Sequence, residues 1–320
     1  MDRGTSKVLN DVSIDIRDQE ILGIVGESGS GKSMFAASLL DSIVKPGVTR
    51  GEITYNPSDS EPVDVLSMSD RELKEYRWEE VSMVFQGALS SFNPTMDIRG
   101  HFLETLDAHG YSRVEGMEKG RELLSDLYLD PERVLDSYPH ELSGGMKQRA
   151  LIALSLLLEP NVLVMDEPTA ALDLLMQQSI ISLLQNLQEK YELTIVFITH
   201  DLPLVAGLAD RLVVMYAFQF VEVGPSQEIL RDASHPYARS LLRAVPNMDI
   251  PIDQMNPIEG ASPDPVNVPA GCSYHPRCPL ADETCKLEEP KREPIGGDRE
   301  VACYHWEESA EAIPYDIEEM

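Results

Sequence analysis

Four apolar runs stand out from an otherwise mixed chain, and each ends on polar residues. Ile21-Leu22-Gly23-Ile24-Val25 runs into Gly26, and Val81-Ser82-Met83-Val84-Phe85 into Gln86. Val162-Leu163-Val164-Met165 runs into Asp166-Glu167, and Thr194-Ile195-Val196-Phe197-Ile198-Thr199 into His200-Asp201. Continuous apolar stretches of this length read as strands buried on both faces of a parallel sheet. Residues 1–86 therefore read as strands around Gly26, and 87–155 as a mostly helical insert. Residues 156–225 resume the sheet, with a helix after Asp173 carrying Leu174, Leu175, Ile180, Ile181, Leu183 and Leu184. From 226 to 320 the chain is Pro-rich, and Pro246, Pro251, Pro257, Pro263, Pro265 and Pro269 predict an extended strap rather than a core. The fold class is α/β. The longest apolar helix candidate, Ala150 to Leu158, is broken by Glu159-Pro160. It falls well short of the roughly 18 residues that cross a bilayer, and no basic region followed by an apolar core opens the chain. A soluble protein is expected, reaching a membrane only through partners.

The polar residues at the strand ends form a chemical set, because open α/β sheets bind ligands beyond the carboxyl ends of their strands. Gly26-Glu27-Ser28-Gly29-Ser30-Gly31-Lys32-Ser33 fits G-x-x-x-x-G-K-[ST] in a strand–loop–helix setting. Such a loop turns successive N–H groups towards phosphate oxygens at a helix start. Lys32 would reach the β and γ phosphates, and Ser33 would offer its hydroxyl to Mg²⁺. Asp166 is suited to hold Mg²⁺ through water, and Glu167 to orient or deprotonate the attacking water. His200 alone would read as a structural histidine; at a strand end beside these acids it reads as a γ-phosphate contact. Gln86 can touch both metal and water through its amide. The competing readings are a bare glycine turn and a solvated acidic loop. A further anion site, Ser143-Gly144-Gly145, lies 21 residues before Asp166 and opens a helix rich in Leu and Ala; Ser143 would cap that helix in either case.

Taken together, GESGSGKS, the VFQ ending at Gln86, LSGGMKQR from Leu142, VLVMDEP from Val162, AALD from Ala170 to Asp173 and Thr199-His200 resemble the ATP-binding subunit of an ABC transporter. Their order and separations match as well, and the resemblance runs to about residue 305. It implies a P-loop NTPase core with a helical subdomain, and an ATPase that binds ATP through Gly26, Ser28, Gly29, Gly31, Lys32, Ser33 and Met34. Mg²⁺ would be held by Ser33, Gln86 and Asp166, with Glu167, His200 and Gln86 catalytic. Ser143, Gly144 and Gly145 would contact the γ-phosphate of a second subunit in trans, and Asp173 would belong to the D-loop. The resemblance narrows to importers of the oligopeptide, dipeptide and nickel group. GALSSFNPTM after Gln86, HPYARSLLRAVP from His235 to Pro246, and GCSYHPRCPLADETC with VACYHW carry that narrowing.

That group implies a sister ATP-binding subunit, two transmembrane permease subunits, an external solute-binding protein, and a peripheral place on the cytoplasmic face of the membrane. Met146 in the position of the usual signature Gln suggests that the pair is a heterodimer. The alternatives are a nickel or other solute importer, a soluble ABC ATPase of translation or DNA repair, and an inert binding module. One departure concerns adenine: the family places a stacking aromatic upstream of the loop, but only 25 residues precede Gly26 and Met1 to Leu9 contain none. Either the start is truncated or adenine is held by other contacts.

All four cysteines, Cys272, Cys278, Cys285 and Cys303, fall in the last fifth of the chain, spaced C-x₅-C-x₆-C-x₁₇-C. Thiolates converging from Pro- and Gly-rich loops can hold a [4Fe–4S] cluster or tetrahedral zinc, and two disulfides are a third option. Resemblance to the importer tail favours the iron–sulfur cluster, as a structural group. Among 320 residues, 55 acids against 26 bases give a net charge of −29. Extensive nucleic-acid binding, which needs clustered Lys and Arg, is excluded on that balance. Acids dispersed through the whole chain fit a surface adapted to high salt.

Overall fold

The computed structural model describes residues 6–57, 61–87, 91–170, 172–244, 258 and 260–315. Among them the strands are β1 (Ile21–Val25), β2 (Thr54–Tyr55), β3 (Val63–Asp64), β4 (Val81–Val84), β5 (Val162–Asp166), β6 (Thr194–Thr199), β7 (Arg211–Tyr216), β8 (Gln219–Pro225), β9 (Glu293–Gly296) and β10 (Arg299–Val301). The helices are α1 (Lys32–Leu39), α2 (Asp70–Glu79), α3 (Ile98–His109), α4 (Arg113–Asp126), α5 (Pro131–Leu135), α6 (Gly144–Ser155) and α7 (Leu174–Tyr191). Five short ones follow: α8 (Leu202–Ala206), α9 (Ser226–Arg231), α10 (Pro236–Arg243), α11 (Glu283–Leu287) and α12 (Ser309–Ala312). The chain divides into two compact units, residues 36–198 and residues 1–35 with 199–320.

In the unit of residues 36–198, β4, β5 and β6 pair in parallel, with Val84 opposite Met165 and Asp166 opposite Ile198. Leu163, Val164, Ile195, Val196, Phe197 and Ile198 are fully buried, which is why these strands read as unbroken apolar runs. The helical segment is punctuated by local signals. Asp97 caps α3, Gly110 ends it at φ 76°, Ser112 caps α4, and Asp130 before Pro131 starts α5. In α7 the buried stripe is Ile180, Leu183, Leu184 and Leu187, while Leu174 and Leu175 stay exposed at its first turn.

In the other unit, β1 pairs in parallel with β7, from Leu22 opposite Arg211 to Val25 opposite Val214. Strand β7 turns through Ala217 and Phe218, both at positive φ, into antiparallel β8. The β9–β10 hairpin then extends this edge, with Val301 opposite Glu222. Residues beyond 226 thus differ from the extended strap that their prolines suggest. Pro236 sits in the first turn of α10, where a missing N–H costs nothing, and so begins a helix instead of preventing one. Pro263, Pro265 and Pro269 do lie outside regular structure; Pro246, Pro251 and Pro257 are outside the described residues. Among the described residues no helix is long and apolar enough to cross a membrane.

Candidate functional site

The glycine loop follows the fully buried strand β1 and leads into α1. At Gly26 the backbone has φ 155°, and a Cβ would lie 2.1 Å from the Met215 carbonyl oxygen, so β7 excludes any side chain there. Ser30 N–H donates to Glu27 O at 3.2 Å, closing the turn, and Ser30 O accepts the Phe218 N–H from the β7–β8 turn at 2.8 Å. Lys32 is 5% exposed and donates to the carbonyls of Gly26 at 2.8 Å and Glu27 at 2.9 Å. Its cationic tip is thereby carried within the loop. Ser28, Gly29 and Ser33 are exposed and Met34 is half-buried. The loop offers exposed backbone, a helix start and an ammonium group, a combination suited to phosphate oxygens.

Sequence reasoning missed what holds this loop from outside. Glu27 N–H donates to Tyr237 Oη at 2.9 Å. The Glu27 carboxylate accepts both Arg277 terminal nitrogens, at 2.8 and 2.9 Å, and the Ser262 hydroxyl at 2.7 Å. Burial works to raise the Glu27 pKa, but the hydrogen bonds from Arg277 and Ser262 and the nearby charges of Arg277 and Lys32 outweigh it and hold the carboxyl below its ordinary value. Arg277 is 250 positions from Glu27, and no periodicity or spacing links them.

In the unit of residues 36–198, Asp166 closes β5 with 4% exposure, and Glu167 follows at φ 47°. A non-glycine residue in that region is uncommon and is strained. It is held by its N–H donating to Ile198 O at 2.9 Å. Gln86, exposed just beyond β4, donates from Nε2 to Glu167 Oε2 at 3.2 Å, which brings this amide and this carboxylate together. Ser143 Oγ accepts the Met146 N–H at 3.3 Å as the cap of α6, with Ser143 exposed and Gly145 buried. Asp173 caps α7, accepting the Met176 N–H at 3.0 Å. Ala171 of AALD, Ala88 to Ser90 of the loop after Gln86, and Val245-Pro246 lie outside the described residues. In the other unit His200 is exposed.

Cys272, Cys278, Cys285 and Cys303 line one cavity, together with His235, Tyr274, Tyr304 and His305. All four are free thiols, so the disulfide option is not taken. Cys272 N–H donates to Cys285 O at 2.8 Å, and His305 N–H points at Cys303 Sγ at 3.3 Å, a contact that favours a thiolate. Burial pushes the Cys278 thiol up to about 11 and Cys303 to about 12, and raises Cys272 and Cys285 as well. Cys285 is buried and the other three are half-buried, so free thiolates are disfavoured here, and a cationic centre bound by the four sulfurs would offset that cost; the residue types suit an iron–sulfur cluster or zinc. Asp282, Cys285 and His305 also bring one ligand atom each within 4.8 Å of one another. His235 borders the cavity as the cap of α10, with Nδ1 accepting the Tyr237 N–H at 3.0 Å. Burial pushes its imidazole down to about 3.

Comparison with known proteins bears on the whole arrangement. Residues 9–170 match the ABC transporter family, and residues 221–285 match the oligopeptide/dipeptide transporter C-terminal region. A dipeptide transport ATP-binding protein DppD of Caldanaerobacter subterraneus is 42% identical over 308 residues, covering 95% of this chain and 93% of that protein. An oligopeptide transport ATP-binding protein OppD of Salmonella typhimurium is 39% identical over 303 residues, covering 94% of this chain and 89% of that protein. Among solved structures, a dimeric bacterial ABC transporter cassette aligns with TM-score 0.56 and 26% identity, covering 68% of this chain and 90% of that one. The same cassette in a post-hydrolysis state bound to ADP and Pi aligns equally well, at TM-score 0.56. With family matches on both its first half and its C-terminal extension, this chain is an ABC ATPase and belongs to the oligopeptide/dipeptide group of ABC transporter ATP-binding subunits.

Proposed function

We propose that the chain binds MgATP, pairs with a sister ATP-binding subunit, and hydrolyses ATP to drive peptide import through two membrane-spanning permease subunits supplied by an external binding protein. The observation that carries the catalytic part is the Gln86–Glu167 hydrogen bond at 3.2 Å beyond parallel strands, beside the buried Asp166. In this reading Gly26, Ser28, Gly29, Gly31, Lys32, Ser33 and Met34 hold the nucleotide, and Ser33, Gln86 and Asp166 hold Mg²⁺. Glu167 takes the proton of the attacking water, and His200 contacts the γ-phosphate. Ser143, Gly144 and Gly145 act on the nucleotide of the partner subunit, with Asp173 in the D-loop between them. Peptide as cargo is supported by relatives named for dipeptide and oligopeptide transport, not by the alternatives in translation or DNA repair. Membrane attachment is peripheral and made through the permeases.

The test is Glu167→Gln in the complex reconstituted with its permeases. ATP turnover and peptide uptake are expected to fall together by about 10²- to 10⁴-fold while nucleotide binding persists. Unaltered turnover would refute the assigned base. For the cysteine cavity the reading is a structural [4Fe–4S] cluster, with zinc as the alternative. Anaerobically purified protein is expected to carry about four irons and four sulfides per chain. One zinc and no sulfide would replace the cluster by a zinc site.

A further inference from the structure

A carboxylate lies inside the loop that is read here as the phosphate site. Glu27 follows Gly26, its carbonyl accepts Lys32 Nζ at 2.9 Å, and its N–H is spent on Tyr237. A negative side chain this close to a polyphosphate opposes its binding, because like charges a few ångströms apart repel strongly where water is partly excluded. Arg277 answers that charge with both terminal nitrogens, a fork-to-fork pairing that fixes geometry as well as charge. Its side chain is only 6% exposed. Arg277 Nη1 also donates to Tyr216 Oη at 3.3 Å, and the guanidinium carbon lies 5.8 Å and 6.0 Å from the Tyr216 and Tyr274 ring centres.

The position of Arg277 is set by the cysteine-bearing segment. It ends a tight turn between Cys272 and Cys278. His275 N–H donates to Cys272 O at 3.0 Å, Arg277 N–H to Tyr274 O at 2.9 Å, and Cys278 N–H to His275 O at 3.4 Å. Folding that segment therefore presents the guanidinium to the loop. Tyr237 reaches Glu27 from α10, and its ring packs 5.4 Å from that of Tyr274, so two parts of the extension converge on one residue.

We propose that Arg277 is the internal counter-ion of the phosphate loop: by neutralising the Glu27 carboxylate, it makes nucleotide affinity depend on the folded cysteine-bearing extension. Arg277 is a positioning residue, acting through Glu27. The proposal rests on the reading of Gly26 to Ser33 as the phosphate site.

The experiment titrates MgADP into the full-length protein, purified anaerobically, by calorimetry for the parent and for Arg277→Gln, Arg277→Lys, Glu27→Gln and the double variant. Arg277→Gln is expected to weaken MgADP about tenfold or more, and Arg277→Lys to lose less, since it keeps charge without the fork. Glu27→Gln should bind at least as tightly as the parent, and the double variant should match Glu27→Gln within about twofold, because nothing is left to neutralise. A purely structural Arg277 would give a double variant as weak as Arg277→Gln, and that result overturns the proposal. Unchanged binding by Arg277→Gln overturns it too. Should Arg277→Gln fail to fold, Glu27→Gln decides: a tenfold loss there contradicts the charge argument, and retained or tighter binding supports it. Lys32→Ala separates the two levels. Loss of binding in Lys32→Ala together with parent-like Arg277→Gln leaves the phosphate-loop reading standing and removes only the proposal, whereas a parent that binds no MgADP removes both.

Discussion

His235 shows how one residue can tie local geometry to solution behaviour. It caps α10 by accepting the Tyr237 N–H, which requires an unprotonated Nδ1, and it is 1% exposed. Burial depresses its folded-state pKa from 6.5 to about 3, so the unfolded chain binds a proton at this site that the folded chain refuses. The resulting stability is complete above about pH 6.5 and is lost as pH falls towards 3, with a slope of at most about 1.4 kcal/mol per pH unit. His235→Asn keeps a capping acceptor without the titration. Thermal melts of the two proteins from pH 7 to pH 5 are expected to diverge, the parent losing more. Parallel curves would mean that His235 does not titrate with unfolding. Glu167 makes a related point through its backbone: a residue of ordinary type is held at φ 47° beside the buried Asp166, and its carboxylate accepts the Gln86 amide.

At the scale of elements, the readable signals were those that act over a few residues. Ser69 with Glu72 forms a complete capping box at α2, a helix that the strand reading of residues 1–86 passed over although the S-x-x-E pattern was present. Asp173 carries a cap and an expected D-loop role at once, and substitution separates them. Asp173→Ala should cost about 1 kcal/mol of stability through the lost cap, whereas Asp173→Ser should restore the cap. Unfolding midpoints measure the first effect and ATP turnover of the assembled complex the second. Turnover restored by Ser would reduce Asp173 to a helix cap. The extension is where element-level reading failed. Its prolines suggested a strap, but Pro236 starts α10, and β10 finds in β8 an edge whose hydrogen-bonding groups needed a partner. Edge pairing depends on a distant strand, so no local pattern announces it.

For the whole molecule the dominant physical fact is charge. With 55 acids and 26 bases the folded chain repels itself, and added salt screens that repulsion as the Debye length falls from about 30 Å at 0.01 M to about 3 Å at 1 M. The melting midpoint is therefore expected to rise with NaCl across that range; a fall would mean that exposed ion pairs such as Arg71–Glu75 outweigh the net repulsion. The sequence by itself determined the buried parallel strands, the glycine loop, the acids and amide at strand ends, and the helix cap at Ser143. Each of these rests on chemistry contained within a few consecutive residues, where apolar continuity, backbone freedom or a capping side chain is enough. Only the tertiary structure decided that Gln86 reaches Glu167 and that Arg277 crosses 250 positions to neutralise Glu27. Those pairings depend on how elements far apart in the chain pack in space, and residue spacing carries no record of that packing.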